Sequence, residues 1–312
     1  MAQRGMKLTV GKFFGAIVVL VGALVANHAS AAEITVLKDS QTRYSIMIEG
    51  VIEPGDFEKA YDVLKRSGPF ATSVYLFSPG GDVQESIKIA EMVRALKLET
   101  IIPSAKGRVN PTLDTIEYFE HCPSYSGPHA PRDATNCICA SACTIIWASG
   151  IQRNFGLLRV HRPKMNEQFF AGLSPDDAEQ AYEKMSATVD AALSGYGFPT
   201  DGIIKMNSIP SYRVEKFEPF GMPELVPFFD ELLTARCSST QNKGEFSLLR
   251  IKKRENRASA DELVRLEELE KTAGTVERCR MTETMKIHWA SFSDYFGVDY
   301  EALVRSGELY SE

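Results

Sequence analysis

The sequence lacks an excess of positive charge, and it has no long apolar run beyond its first residues. Its 35 lysines and arginines are outnumbered by 41 aspartates and glutamates, which gives a formal net charge of −6. Nucleic acids and anionic membranes attract positively charged proteins. The one dense basic cluster, RIKKRENR at 250–257, leads into an acidic helical pattern and is interpreted as a solvated helix face. The composition therefore predicts no nucleic-acid partner.

The N-terminal segment has the pattern of a secretory signal. Arg4, Lys7 and Lys12 precede an apolar run over 13–26, and small residues follow where a signal peptidase would cleave. We therefore expect residues 1–31 to be removed, which places the mature protein in the periplasm or outside the cell. The alternative is an uncleaved anchor in the inner membrane, although the apolar run is short for a bilayer span.

Cysteine is sparse, and all six cysteines lie in the predicted mature part. An exported protein meets an oxidising compartment, so we expect disulfides. Cys237 and Cys279 stand apart and flank a helical segment, so we expect them to pair. The sequence leaves the pairing of the other four candidates open; these are Cys122, Cys137, Cys139 and Cys143. A zinc site is the alternative, but the CxCxxxC spacing matches no common zinc pattern and we predict no metal.

Strand and helix patterns alternate after the signal. SVYLFS at 73–78 predicts a buried strand, the helical pattern of 82–97 follows a glycine turn, and ETIIP at 99–103 predicts the next strand. Such units imply a largely parallel sheet covered by helices, an α/β fold. Further along, CICASACTIIWASG is interpreted as a strand that runs into a buried helix, and QRNFGLLRVHRP as a turn and another strand. SPDDAEQ predicts the capped start of a long helix.

The same patterns divide the chain into segments. Residues 32–229 are predicted to form the α/β domain, with a loop insertion at 106–136 that is rich in proline, glycine and polar residues. Residues 230–312 are predicted to form a helical C-terminal extension. The sequence shows no internal repeat.

Two helix starts carry the candidate chemistry. Gly80 and Gly81 turn the chain from a strand into a helix, where unpaired backbone N–H groups can stabilise an anion. Ser141 is expected in the first turn of the next such helix. If Ser141 attacks a substrate, the N–H groups of Gly81 and Ala142 would supply the two donors that an oxyanion needs. The alternative is that Ser141 only caps the helix or allows close packing.

A base for this serine is available in the following strand. Of the five histidines, only His161 is well placed, because it ends a strand that follows Ser141 closely in the chain. Arg159, Arg162 and Lys164 lie near His161 in sequence and would disfavour its protonated form.

The order of the motifs SPGGDV, CASAC, SGIQR and VHRP resembles that of the Clp protease proteolytic subunit and its crotonase-like relatives, over about residues 44–225. More narrowly, the chain is similar to exported, ClpP-like predicted periplasmic proteins. The resemblance implies a core of repeated β-β-α units with Ser141 as nucleophile and His161 as general base. It also implies Gly81 and Ala142 as oxyanion donors, with Gly80 shaping the turn, and it implies no cofactor.

The third member of the family's triad is an aspartate, and the matching region here, KMNSIPSYR at 205–213, has no carboxylate. Asn207 or Ser208 would orient the imidazole by a neutral hydrogen bond, as an asparagine does in papain-like sites. Asp201 is near in sequence.

These features predict an exported serine peptidase that acts through an acyl-enzyme on peptides or unfolded protein, without ATP and without an ATPase partner. The resemblance also implies self-association into a homo-oligomer. The alternative is a catalytically silent crotonase-like scaffold that binds a peptide or a partner protein, favoured by the missing carboxylate and the helical extension. Acyl-CoA chemistry on the same fold is a third interpretation.

Overall fold

The structure is a computed structural model that describes residues 31–38, 44–102, 138–154, 156–164, 167–218, 222–237 and 243–307. The predicted signal segment up to residue 30, the predicted insertion at 106–136, and Cys122 and Cys137 lie outside these ranges and stay predictions. Within the described ranges, no helix is both long enough and apolar enough to cross a membrane.

A five-stranded sheet forms the larger of two sheets. Its spatial order is β1-β2-β3-β4-β6, with β1 antiparallel to β2 and every later pair parallel. The strands are β1 (Glu33–Lys38), β2 (Tyr44–Glu49), β3 (Ala71–Phe77), β4 (Glu99–Ile101) and β6 (Gln152–Asn154). The parallel β3-helix-β4 unit confirms the predicted α/β class.

A smaller sheet branches from the end of β3. It consists of β5 (Ile138–Ala140), β7 (Leu157–Val160) and β8 (Glu215–Lys216), with β5 parallel to β7 and β7 antiparallel to β8. Ser78, just after β3, pairs with Cys139 in β5 through backbone hydrogen bonds of 2.9 Å on both sides. The two sheets are therefore joined at the end of β3.

Nine α-helices lie along the described ranges. They are α1 (Asp56–Ser67), α2 (Val83–Ala95), α3 (Cys143–Ser149), α4 (Pro175–Gly195), α5 (Thr200–Ser208), α6 (Pro227–Cys237), α7 (Lys243–Arg254), α8 (Ala260–Phe296) and α9 (Tyr300–Ser306). Helix α4 begins as predicted, because the Ser174 side chain accepts a hydrogen bond from the Asp177 N–H and Pro175 holds the first helical position.

Two local predictions needed correction. Helix α3 is fully buried, as expected, but it begins at Cys143, so Ser141 lies before the helix and not in its first turn. The segment QRN was interpreted as a turn, and it forms β6 instead. Both differences arise because pairing with neighbouring strands, which a single sequence does not reveal, decides where a strand ends.

The C-terminal helices pack back onto the α/β core. Phe292 near the end of α8 is fully buried in the main cluster, and the Tyr300 hydroxyl donates to the Lys65 carbonyl at 2.8 Å. A disulfide between Cys237 and Cys279 joins α6 to α8, which confirms the predicted pair. The helical region is therefore tied to the core by packing and to itself by a covalent link.

Candidate active site

The glycine turn, Ser141 and His161 lie where β3, β5 and β7 end. Strand β5 pairs with β7 so that Ala140 lies opposite Arg159, and the Ser141 N–H donates to the Arg159 carbonyl at 3.1 Å. His161 comes directly after the last residue of β7. Since the carboxyl ends of parallel strands lie at one edge, the chain brings the glycine turn, Ser141 and His161 to that edge.

Ser141 has a left-handed backbone conformation, with φ of 56°. For an L-residue other than glycine this conformation costs about 1–2 kcal/mol and is found at tight turns and functional sites. The turn places the half-buried Ser141 between the strand and the buried helix that begins two residues later. Within the described residues its hydroxyl makes no hydrogen bond, and so none to His161.

A disulfide spans the serine. Cys139 in β5 and Cys143 at the start of α3 are bonded, with their Cα atoms 5.3 Å apart. Both cysteines are completely buried. The two are therefore disulfide partners and not zinc ligands, and in the part of the chain that the structure describes no group of three or more metal-binding side chains occurs.

Gly80 packs directly against the serine turn. A Cβ atom at this position would lie 2.6 Å from the Ser141 Cβ and 2.9 Å from the Ala142 nitrogen, and the Gly80 φ is 99°. Only glycine fits both the space and the backbone conformation. The close approach shows that the turn after β3 and the turn after β5 form one site.

The two predicted oxyanion donors are available. Gly81 pairs with Ile52, but the bonds of that bridge run through the Gly80 carbonyl and the Asp82 N–H. Among the described residues, neither the Gly81 N–H nor the Ala142 N–H has an acceptor. Unpaired backbone N–H groups can stabilise a developing negative charge.

His161 is held by a main-chain group. Its Nδ1 lies 2.7 Å from the carbonyl oxygen of Arg162, which can only accept, so Nδ1 carries the proton and Nε2 keeps its lone pair. Burial lowers the pKa of His161, and the charge of Lys164 lowers it further, while the hydrogen bond to the carbonyl opposes both. The imidazole is therefore neutral at neutral pH and carries a basic Nε2.

The predicted third member, Asn207, has no supporting contact with His161. Its amide nitrogen donates to both carboxylate oxygens of Asp190, at 3.0 and 2.9 Å, and its buried amide oxygen has no partner among the residues that the structure describes. The Ser208 hydroxyl donates to the Lys205 carbonyl. The orienting group is the Arg162 carbonyl instead, and sequence reasoning missed it because every residue carries such a carbonyl.

A cleft of about 750 Å³ opens beside the glycine turn. Gly81 and Val83 form one wall, and Met185 of α4 forms another. Lys164, three residues after His161, and Lys184 also border it, and both are exposed. The cleft therefore runs from Gly81 to the segment that follows His161, and its lining mixes apolar and charged side chains without including Ser141 or His161.

No protein family matches the sequence, and no curated protein is significantly similar to it. The likeness to the Clp protease proteolytic subunit accordingly rests on the sequence motifs.

Proposed function

We propose that the protein is an exported serine hydrolase of the ClpP-like kind, which cleaves peptide bonds through an acyl-enzyme on Ser141. The observation that carries the proposal is the turn at Ser141. A non-glycine residue in the left-handed conformation stands at a strand end, beside a glycine that touches it and before an unpaired N–H group. Such a turn presents a nucleophile and an oxyanion donor together.

The residues divide the reaction among them. Ser141 Oγ attacks the carbonyl carbon of the scissile bond while His161 Nε2 takes its proton, and the N–H groups of Gly81 and Ala142 hold the oxyanion. The intermediate then collapses, the C–N bond breaks, and Nε2 gives its proton to the leaving amine. Water attacks the acyl-enzyme with His161 again as base, which releases the acid and restores the serine. Ser141 and His161 must approach when substrate binds, as catalytic hydrogen bonds often do.

The Arg162 carbonyl explains how a triad without a carboxylate would work. It fixes the imidazole in the tautomer that a base requires. It carries no charge, however, and stabilises the imidazolium less than an aspartate would. We therefore expect slow turnover. A periplasmic location, without ATP, fits action on short peptides or unfolded chains.

A fluorophosphonate probe tests the proposal directly, because it reacts with serines that have an activating base. We expect label on Ser141, located by peptide mass spectrometry, that is lost in Ser141→Ala and strongly reduced in His161→Ala. Ser194→Ala, an exposed serine on α4, is the matched control and should label normally. An oxidised, folded protein that takes up no label would refute the proposal.

The alternative of a silent scaffold has one observation in its favour. A groove of about 670 Å³ runs along α8, where Met281 and Met285 are exposed beside Trp289. Asp299 and Glu301 border the groove, and Glu301 forms an ion pair with Arg305 at 3.9 Å. Its other charge, Lys286, is offset by an ion pair of 2.8 Å with Glu283. An apolar groove with an acidic border fits an amphipathic peptide with basic residues.

A synthetic amphipathic lysine–leucine peptide tests this alternative. Trp289 lines the groove, while the other tryptophan, Trp147, is fully buried, so binding should change only the Trp289 fluorescence. Met285→Lys should weaken binding, and Leu263→Lys, at 42% exposure against 41% for Met285, is the matched control. Binding that is equal in both variants, or absent in the native protein, would contradict a docking role.

A further inference from the structure

The disulfide between Cys139 and Cys143 encloses the candidate nucleophile at its midpoint. It joins the second residue of β5 to the first residue of α3, so the turn at Ser141 is covalently closed on itself. Cys139 and Cys143 are fully buried, whereas Ser141 is half-buried. The link therefore lies on the core side of the turn and leaves the serine accessible.

Backbone hydrogen bonds hold the turn on both sides of Ser141. The N–H groups of Ala140 and Ser141 donate to the Ser78 and Arg159 carbonyls, and these bonds fix the end of β5. Gly80 makes room for the turn but has no side chain that could support it. The Thr144 and Ile145 N–H groups donate to the Ser141 and Ala142 carbonyls at 2.9 and 3.1 Å where α3 begins. The disulfide adds the covalent constraint across the left-handed Ser141.

We propose that Cys139 and Cys143 are positioning residues whose disulfide holds Ser141 and the Ala142 N–H in their reactive arrangement. In the dithiol form Ser141 relaxes toward the ordinary right-handed or extended conformation, which moves both the hydroxyl and the oxyanion donor. A displacement of about 1 Å in such a group lowers the rate of reaction by about 100-fold.

The proposal makes the activity depend on oxidation. Formation of the bond removes two protons and two electrons from the two thiols, and a disulfide-bearing oxidant accepts them and becomes a dithiol. A chain that stays in a reducing compartment keeps the two thiols, and Ser141 then lacks the disulfide that positions it. The site then becomes reactive only after the chain reaches an oxidising compartment.

The experiment compares two pairs of substitutions in the full chain. Cys139→Ala/Cys143→Ala removes the link at the serine, and Cys237→Ala/Cys279→Ala removes the link between α6 and α8. Two quantities are measured: amide hydrogen exchange over residues 138–146, and the rate constant and half-saturation concentration of fluorophosphonate labelling. A second variant, Cys139→Val/Cys143→Ala, fills the core if the first does not fold, because valine suits a strand and alanine a helix.

We expect the first pair to speed exchange over 140–144 by about tenfold. We also expect it to slow labelling by about 100-fold, with the half-saturation concentration unchanged because the cleft is intact. The second pair should lower the melting temperature and leave both quantities near the native values. Unchanged exchange at the turn, or faster exchange with native labelling, overturns the positioning role.

The inference rests on the proposed function only through the labelling rate. If the native protein takes up no label while exchange at the turn rises in the first pair, the disulfide holds the turn but the proposed hydrolase function is refuted. If the native protein and the first pair of substitutions label equally well, the proposed hydrolase function is supported and the positioning role of the disulfide is refuted.

Discussion

The strand-end site and the C-terminal helices share the same kinds of features, a buried histidine, a disulfide and glycines with positive φ, in different surroundings. Each has a buried histidine whose Nδ1 bonds to a carbonyl: His161 to Arg162 at 2.7 Å, and His288 to Leu96 at 2.9 Å. Burial lowers the pKa of both histidines. Each region also has a disulfide and two glycines with a positive φ among the described residues. A burial-shifted histidine is therefore weak evidence for catalysis.

The two regions differ in whether a substrate can reach their polar groups. His288 is only 3% exposed and its ring packs against Phe292, so no substrate reaches its Nε2. His161 keeps 9% of its surface exposed, and its edge also contains the unpaired N–H groups of Gly81 and Ala142. A base is useful only where a nucleophile and an anion-binding pair stand at the same edge.

The largest expected difference is between the two histidines. His161→Ala should slow labelling of Ser141 by about 10³-fold, because the base is lost. His288→Ala should leave the labelling rate unchanged and destabilise the fold by about 2 kcal/mol, because a buried hydrogen bond and an aromatic contact disappear. Labelling rates and urea unfolding midpoints measure the two effects. Equal labelling losses in both variants would mean that His161 acts through the fold alone.

The sequence predicted the parts of this site that depend on local pattern. The strand, glycine turn and helix around Gly80, the strand that places His161 near Ser141, and the Cys237–Cys279 pair follow from periodicity, turn residues and spacing. The left-handed Ser141 did not, because the conformation follows from strand pairing and from a disulfide that was one of many possible pairings.

The orienting carbonyl of Arg162 and the burial of His288 were also beyond the sequence. A main-chain acceptor has no signature in residue types. The packing of α8 on the core joins residues almost two hundred positions apart, as in the 2.9 Å contact between His288 and the Leu96 carbonyl. Periodicity reports which face of a helix is apolar but not which surface covers it.

A second difference is expected between two glycines with positive φ. Gly80→Ala would place a Cβ 2.6 Å from the Ser141 Cβ, so the serine turn must shift and labelling should slow by about 100-fold. Gly297 ends α8 with φ of 64°, and no atom lies within 4 Å of the position that a Cβ would take there. Gly297→Ala should cost only about 1 kcal/mol of stability and leave labelling unchanged. A Gly80→Ala variant that labels at the native rate would show that the two turns do not form one site.

The smallest expected effect is a shift in pH dependence at His161. Lys164 lowers the pKa of His161, after burial, and Ser141 labelling requires the neutral imidazole. The labelling rate should therefore rise with pH through a midpoint below the ordinary value of about 6.5. Lys164→Met removes the positive charge, so the pKa of His161 should rise and the midpoint should move to higher pH, with the plateau rate unchanged.

Lys184 also borders the cleft, but it is not among the charges that shift the pKa of His161, so Lys184→Met should leave the midpoint in place. A midpoint that moves equally in both variants would mean that the general charge of the cleft, and not the position of Lys164, sets the basicity of His161.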